Sequence, residues 1–512
     1  MRPGTDQLRA PAVQRDLQRL DDAGAVADST FEPLAVDERY GPPVADLHPD
    51  RSRGWLGRLQ PLLMARRGRF IFALAMATLS LLAQVAVPRV VGEAINSALD
   101  TQTTSIAPFV WVVLGLAAVR GVATYLYRTR LFGLAYGLEY DLRVMMFTHL
   151  TRLPFSFYDR VQAGQLISRA NSDIRSVQMF LTFAPLMATQ MVGFLFAFVL
   201  MLTVNVPLTI VALLPLPFVY MVGARMRDLT FPISWIVQAR LADVATTVEE
   251  NVAGARVVKS FAAEQAQVGL LANHARRLRW ATVRQVDVRA RYGPLMENLP
   301  RLGMAFVLLY GGILAIDGQI GPGDIVTFST YVVMLQAPFR MLGFLLLLSQ
   351  RAAASGGRVI EVLDEAPSIV DRPGAVDLLR PEGRVELDDV TFSYGDGPKV
   401  LDGFTLDVAP GETVAIVGRT GSGKSTVARL LSRFYDTDAG TVRIDGHDVR
   451  DLTLASLRAQ VTTVLDEPFL FSTTVRGNIA YGRPDASLEE VRWAARAAGA
   501  DEFVEALPEG YD

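Results

Sequence analysis

Residues 412–431 read Glu412-Thr-Val-Ala-Ile-Val-Gly-Arg-Thr-Gly-Ser-Gly-Lys-Ser-Thr-Val-Ala-Arg-Leu-Leu431. The apolar run 413–417 predicts a strand, and the residues after Ser425 predict a helix. Between them stands Gly418-x-x-x-x-Gly423-Lys424-Ser425, a phosphate-binding loop in the strand–loop–helix setting it requires. Glycines let backbone N–H groups wrap around phosphate oxygens, and the helix N-terminus adds a favourable dipole. The loop residues are Gly418, Arg419, Thr420, Gly421, Ser422, Gly423, Lys424, Ser425 and Thr426. Lys424 reaches the β- and γ-phosphates, and Ser425 supplies a hydroxyl to Mg²⁺. Lys is otherwise found only at 259 and 399 in this Arg-rich chain. A guanidinium does not replace a compact ammonium at this position, which accounts for Lys424 among so many Arg. The expected ligand is ATP with Mg²⁺.

Upstream of the loop, β-branched runs at 384–388, 389–393 and 405–408 predict short strands. They follow a charged, Pro-bearing linker, 351–383. Before the linker the character changes to long apolar runs. A membrane span needs about 20 mostly apolar residues. Phe70–Pro88 and Thr101–Val119 each supply one. Ser176–Ala224 is free of charge and too long for one helix, and Asn205-Val206-Pro207 divides it into two. Two more lie near 297–316 and 323–350, split by the turn-rich segment 317–324. With the N-terminus inside, the short outer loops carry Arg89, Glu93, Asp100, Asp317 and Asp324, while the inner segments 120–175 and 225–295 are rich in Arg. That asymmetry follows the positive-inside rule. Arg120, Glu297, Arg301 and Arg340 stand at membrane depth. They either line a polar path or form structural and snorkelling contacts.

Composition agrees. Of 512 residues half are hydrophobic, mean hydropathy is +0.26 and net charge is −3. These values argue against a wholly soluble or disordered chain and give no general case for nucleic-acid binding. Cys is absent and the four His are scattered, which excludes disulfides, iron–sulfur clusters and Cys-based zinc sites. Residues 1–53 form an acidic extension with no apolar core of the kind a signal peptide carries. Residues 54–66 suit an interfacial amphipathic helix, with Trp55 at the lipid headgroups and Arg58 and Arg66 toward anionic lipid. The expected fold is a multi-domain membrane protein. An all-α six-helix transmembrane domain, 54–350, precedes an incomplete α/β P-loop NTPase domain, 384–512.

With these motifs assembled, the chain resembles an exporter-type ABC transporter over about residues 55–512. Leu153-Pro-Phe-Ser-Phe-Tyr-Asp159 with Gly164–Arg169 and Asp173 is similar to the first intracellular loop and its coupling helix. Val248–Gly254 and Arg256–Glu264 resemble the second intracellular region. Phe392-Ser-Tyr394 resembles the A-loop, whose aromatic stacks on adenine, and this implies that Tyr394 is the base platform. Asp445-Gly446, Pro468–Phe471 and Asn478-Ile479 also fit the family. The resemblance implies a half-transporter in a bacterial plasma membrane, with its N-terminus and nucleotide domain cytoplasmic. It implies a second half-transporter as partner, surrounding lipid and an unidentified transported substrate.

Two departures bear on mechanism. Asp466 stands where the family usually has a Gln that senses Mg²⁺ and the γ-phosphate. An ionised Asp can hold a metal but cannot donate a hydrogen bond. This favours a heterodimer with unequal ATP sites over a homodimer that tolerates the change. Furthermore, the family's signature segment, its Asp–Glu pair and its switch His do not occur up to Asp512, so the general base is expected beyond residue 512. Residues 1–512 alone are therefore expected to bind ATP without hydrolysing it. The competing readings are an ATP-driven exporter subunit and a nucleotide-binding, non-hydrolysing membrane partner.

Overall fold

The computed structural model describes residues 43–101, 105–464 and 469–512. Most of the acidic extension, 1–42, and Asp466 lie outside the described residues. The chain falls into two units. The first takes in the chain up to Met146 and Ser168–Leu363; the second takes in Phe147–Ile167 and Asp364–Asp512.

The first unit is helical. Its long elements are α1 (Arg67–Thr101), α2 (Ala107–Leu150), α4 (Ile174–Val204), α5 (Leu216–Ala253), α6 (Glu264–Ile316) and α7 (Pro322–Asp364); the short α3 (Phe155–Arg160) belongs to the second unit. Among the described residues, five helices are long and apolar enough to cross a membrane: Arg67–Leu99, Ala107–Leu150, Ala163–Val204, Val206–Ala253 and Glu264–Ile316. The sixth expected span, 323–350, falls within α7, whose side chains 336–343, Arg340 among them, lie outside the described residues.

The short turn at 205–207 forms as expected. Asn205 caps the helix Val206–Leu213, its Oδ1 accepting from the Leu208 amide at 2.9 Å, and Pro207 sits in the first turn where no donor is needed. The outer loop expected around Arg89, Glu93 and Asp100 is different, because α1 runs on to Thr101. Arg89 and Glu93 pair at 2.8 Å one helical turn apart within it.

Helices α1 and α7 cross closely. A side chain on Gly323 would run into the carbonyl of Gly92, so backbone meets backbone there. Beside the crossing, Thr327 Oγ1 donates to Pro88 O at 2.9 Å and Tyr331 Oη donates to Val85 O at 2.8 Å. Around Tyr331, the buried Val85, Met201, Leu208, Val307, Phe328 and Leu335 form a shared core.

Residues 54–66 do not form one continuous helix. They form two short helices, Trp55–Arg58 and Gln60–Ala65. Trp55 is half-buried and lies edge-on to Phe180 at 5.6 Å, while Leu59, Leu62 and Arg58 are buried. Arg66 pairs with the buried Asp141 of α2 at 2.5 Å. Leu59 and Leu62 of the apolar stripe thus pack on protein, while Leu56 and Leu63 stay exposed.

The second unit holds an antiparallel sheet in the order β2-β1-β3-β4, with β1 Val385–Ser393, β2 Lys399–Val408, β3 Ala439–Ile444 and β4 His447–Asp448. The two strands expected at 384–388 and 389–393 are one bulged strand, with Asp389 at φ 50° in the bulge. Behind the sheet packs α8 (Lys424–Leu431), whose Val427 and Leu430 join Leu387, Val390 and Phe392 in the core. The strand expected at 413–417 is absent: 412–419 is irregular and exposed. A strand apolar on both faces is stable only between paired neighbours. No described segment pairs with this one.

Candidate nucleotide-binding site

The loop 418–423 turns into α8 through glycines that only glycine can replace. Gly421 and Gly423 both have φ of 86°, in the left-handed region. At Gly423 a β-carbon would also lie 2.9 Å from Leu401 Cδ2 and 3.1 Å from Val400 O. At Gly418 a β-carbon would meet Ser422 Oγ at 2.6 Å. Close backbone packing therefore shapes the loop. It ends at the N-terminus of α8, where the amides of Lys424 and Ser425 have no acceptor inside the helix.

Lys424 folds back over the loop, its Nζ donating to Gly418 O at 2.9 Å and Arg419 O at 2.8 Å. The ammonium thus lies against the loop backbone. The Ser425 hydroxyl is exposed on the same turn and Thr426 is buried. This donor set fits a polyphosphate: an ammonium, unbonded amides and a helix N-terminus, with no carboxylate bonded to the loop among the described residues. The exposed Ser425 hydroxyl, at the first turn of α8, could meet a cation brought with the phosphates.

Tyr394 comes to the same helix. It follows β1, and its hydroxyl lies 3.1 Å from Thr426 Oγ1 and 3.2 Å from the Arg429 guanidinium. The ring is half-buried, edge-on to Phe392 at 4.8 Å and to Tyr435 at 5.2 Å. Arg429 lies over it at 5.8 Å. The expected base platform and the phosphate loop thus share one helix, α8, with Tyr394 held at its ring edge and its hydroxyl.

Tyr435 is the residue the sequence reading missed. It stands four residues beyond α8 in Arg433-Phe-Tyr-Asp436, and an adjacent aromatic pair just past a phosphate-loop helix is the signal that could have drawn attention to it. Its hydroxyl donates to Asp159 Oδ2 of α3 at 2.6 Å. Phe155, also on α3, lies 4.5 Å from Phe434, and Arg160 pairs with Glu365 at 3.1 Å. Burial first, and the Asp159 carboxylate second, push the Tyr435 hydroxyl well above its ordinary value. The segment read as a coupling helix therefore touches Tyr435, and Tyr435 touches the tyrosine beside the phosphate loop.

Of the membrane-depth residues, Arg120 borders a cavity among α1, α2 and α4. Glu297 and Arg301 are exposed and form no ion pair with each other.

Comparison with known proteins agrees with this architecture. The family model of the ABC transporter transmembrane region matches residues 70–339, and a second model, described as ABC transporter, matches 401–510. A multidrug efflux ATP-binding/permease protein of Mycobacterium tuberculosis is 37% identical over 90% of this chain and 38% of its own length. An ABC transporter ATP-binding protein of Bacillus subtilis is 35% identical over 78% of this chain and 70% of its own. An ATP-dependent lipid A-core flippase of Syntrophus aciditrophicus is 33% identical over 78% of this chain and 67% of its own. The chain thus spans well under half the length of the mycobacterial relative. A multi-pass helical domain joined to a phosphate-binding domain, with both halves matched, means that this chain belongs to the ABC transporter family.

Proposed function

We propose that this chain is a half-transporter subunit that uses ATP to export an amphipathic substrate across a bacterial plasma membrane, with its nucleotide domain in the cytoplasm. One observation carries the reading: the coupling segment 155–160, Tyr435, Tyr394 and the phosphate-loop helix are in direct succession. Phosphates would be held by the loop amides and Lys424, the adenine by Tyr394, and Mg²⁺ by Ser425. The magnesium screens phosphate charge when bound. Order imposed on the loop would pass to α3 through the Tyr394 and Tyr435 rings.

The names of the relatives, multidrug efflux and lipid A-core flipping, support an amphipathic substrate. The tip of the second intracellular hairpin presents Val252, Val257 and Phe261 to solvent, which supports a partner half-transporter. Asp466 in place of the family's Gln supports a non-identical partner.

The test is equilibrium binding of a fluorescent ATP analogue to the purified chain in a neutral detergent. Saturable binding is expected, weakened about tenfold or more by Lys424→Ala. Equal binding by the variant would refute the site. A vesicle transport assay with the co-expressed partner then tests export.

A further inference from the structure

Three helices of the membrane unit, α1, α2 and α4, line an open cavity of about 320 Å³. Arg120 and Arg128, two turns apart on α2, both border it, and no acid does. The described acids of these helices are already engaged: Glu93 pairs with Arg89, Glu139 with Arg143 and Asp141 with Arg66. Helix α4 contains no acid at all. Among the described residues neither Arg120 nor Arg128 has an ion-pair partner.

Such an arrangement is costly without an anion. Arg120 stands at membrane depth, where charges ordinarily find a partner, and Arg128 lies two turns further along α2, in the Arg-rich inner segment. The remaining polar lining adds donors, the side-chain amides of Gln84 and Gln190 and the hydroxyl of Tyr127. The hydroxyls of Ser80 and Thr124 already bond to each other at 2.7 Å. Phe183 and Leu186 supply an apolar wall. A guanidinium pair matches a phosphate or carboxylate by forked hydrogen bonds, and the apolar wall matches an alkyl chain. The volume lies at the lower end of ligand cavities, enough for a headgroup and the start of a chain.

We infer that this cavity binds an anionic amphiphile, its phosphate or carboxylate head at Arg120 and Arg128 and its chain along Phe183 and Leu186. As the class of molecule transported, it rests on the export reading above; binding itself does not.

The test is equilibrium binding of radiolabelled dodecyl phosphate to the full chain in dodecyl maltoside, with dodecanol as the uncharged comparison. Saturable binding of dodecyl phosphate is expected, weakened about tenfold or more in Arg120→Gln/Arg128→Gln and weakened less in Arg120→Lys/Arg128→Lys, which keeps the charge and loses the fork. Binding of the ATP analogue reports whether each variant is folded. If the double Gln variant has lost it, the single variants decide, each expected to weaken dodecyl phosphate binding. Displacement by inorganic phosphate would identify the head alone as the ligand, and failure to displace would identify the amphiphile. Equal binding by a folded Gln variant, or equal occupancy by dodecanol, overturns the inference. A wild-type chain that binds the ATP analogue but not dodecyl phosphate refutes the cavity alone. One that binds dodecyl phosphate but no nucleotide refutes the export reading and leaves the cavity standing.

Discussion

At the scale of single residues, the two loop glycines are separable by what surrounds them. Both Gly421 and Gly423 hold φ at 86°, so a side chain at either is strained by roughly 1–2 kcal/mol. Only Gly423 also meets Leu401 and the Val400 carbonyl, whereas a side chain on Gly421 meets nothing within 4 Å. Gly423→Ala is therefore expected to destabilise the nucleotide-binding unit more than Gly421→Ala, by about 1 kcal/mol or more in urea unfolding. Equal losses would show that strain alone matters. Tyr435 gives a pH prediction. Its hydroxyl titrates above its ordinary value of 10.0, through burial first and the Asp159 carboxylate second. A raised folded pKa means that the contribution is complete below pH 10 and is lost as pH rises through the folded value. Tyr435→Phe should cost about 1–3 kcal/mol near neutrality, and the gap from wild type should narrow above about pH 10. A gap that stays constant to pH 12 would contradict this account.

At the scale of elements, the membrane unit depends on a few close contacts between long helices. The α1–α7 crossing leaves no room for a side chain at Gly323. Gly323→Val is expected to separate the helices and cost several kcal/mol, seen as a large drop in Tm. Tyr331→Phe removes only the bond to Val85 O, so its loss should be near 1 kcal/mol, the usual size for a hydrogen bond between membrane helices. If the two variants melt alike, the backbone contact is not what holds the pair. Most of these elements were legible in the sequence. Runs of about 20 apolar residues have few other stable settings, and Asn205-Val206-Pro207 combines a cap with a helix-starting proline. The crossing was not legible, because Gly92 and Gly323 are ordinary glycines until the fold brings them together. The same holds for 54–66: its apolar stripe suits lipid or protein equally, and only the fold supplies Phe180 for Trp55 to meet.

At the scale of the whole molecule, the second unit takes the hairpin segment 147–167 from between two long helices and groups it with 364–512. Ligand order at the phosphate loop should therefore register in α3. In hydrogen exchange, a non-hydrolysable ATP analogue is expected to slow the amides of 155–160 together with those of 424–431. Protection confined to 424–431 would show that the Tyr394–Tyr435–Asp159 succession carries nothing. The sequence by itself determined the phosphate loop, since its glycines, lysine and helix stand in consecutive positions and their chemistry is local. It determined the long apolar helices for the same reason, because hydropathy needs no partner to be read. The tertiary structure alone decided that Asp159 and Tyr435 meet across 276 positions of chain, that 413–417 goes unpaired, and that Arg120 and Arg128 face a cavity without an acid. Each of those depends on which distant groups become neighbours, and pairing energies between distant groups are not written in any one stretch of sequence.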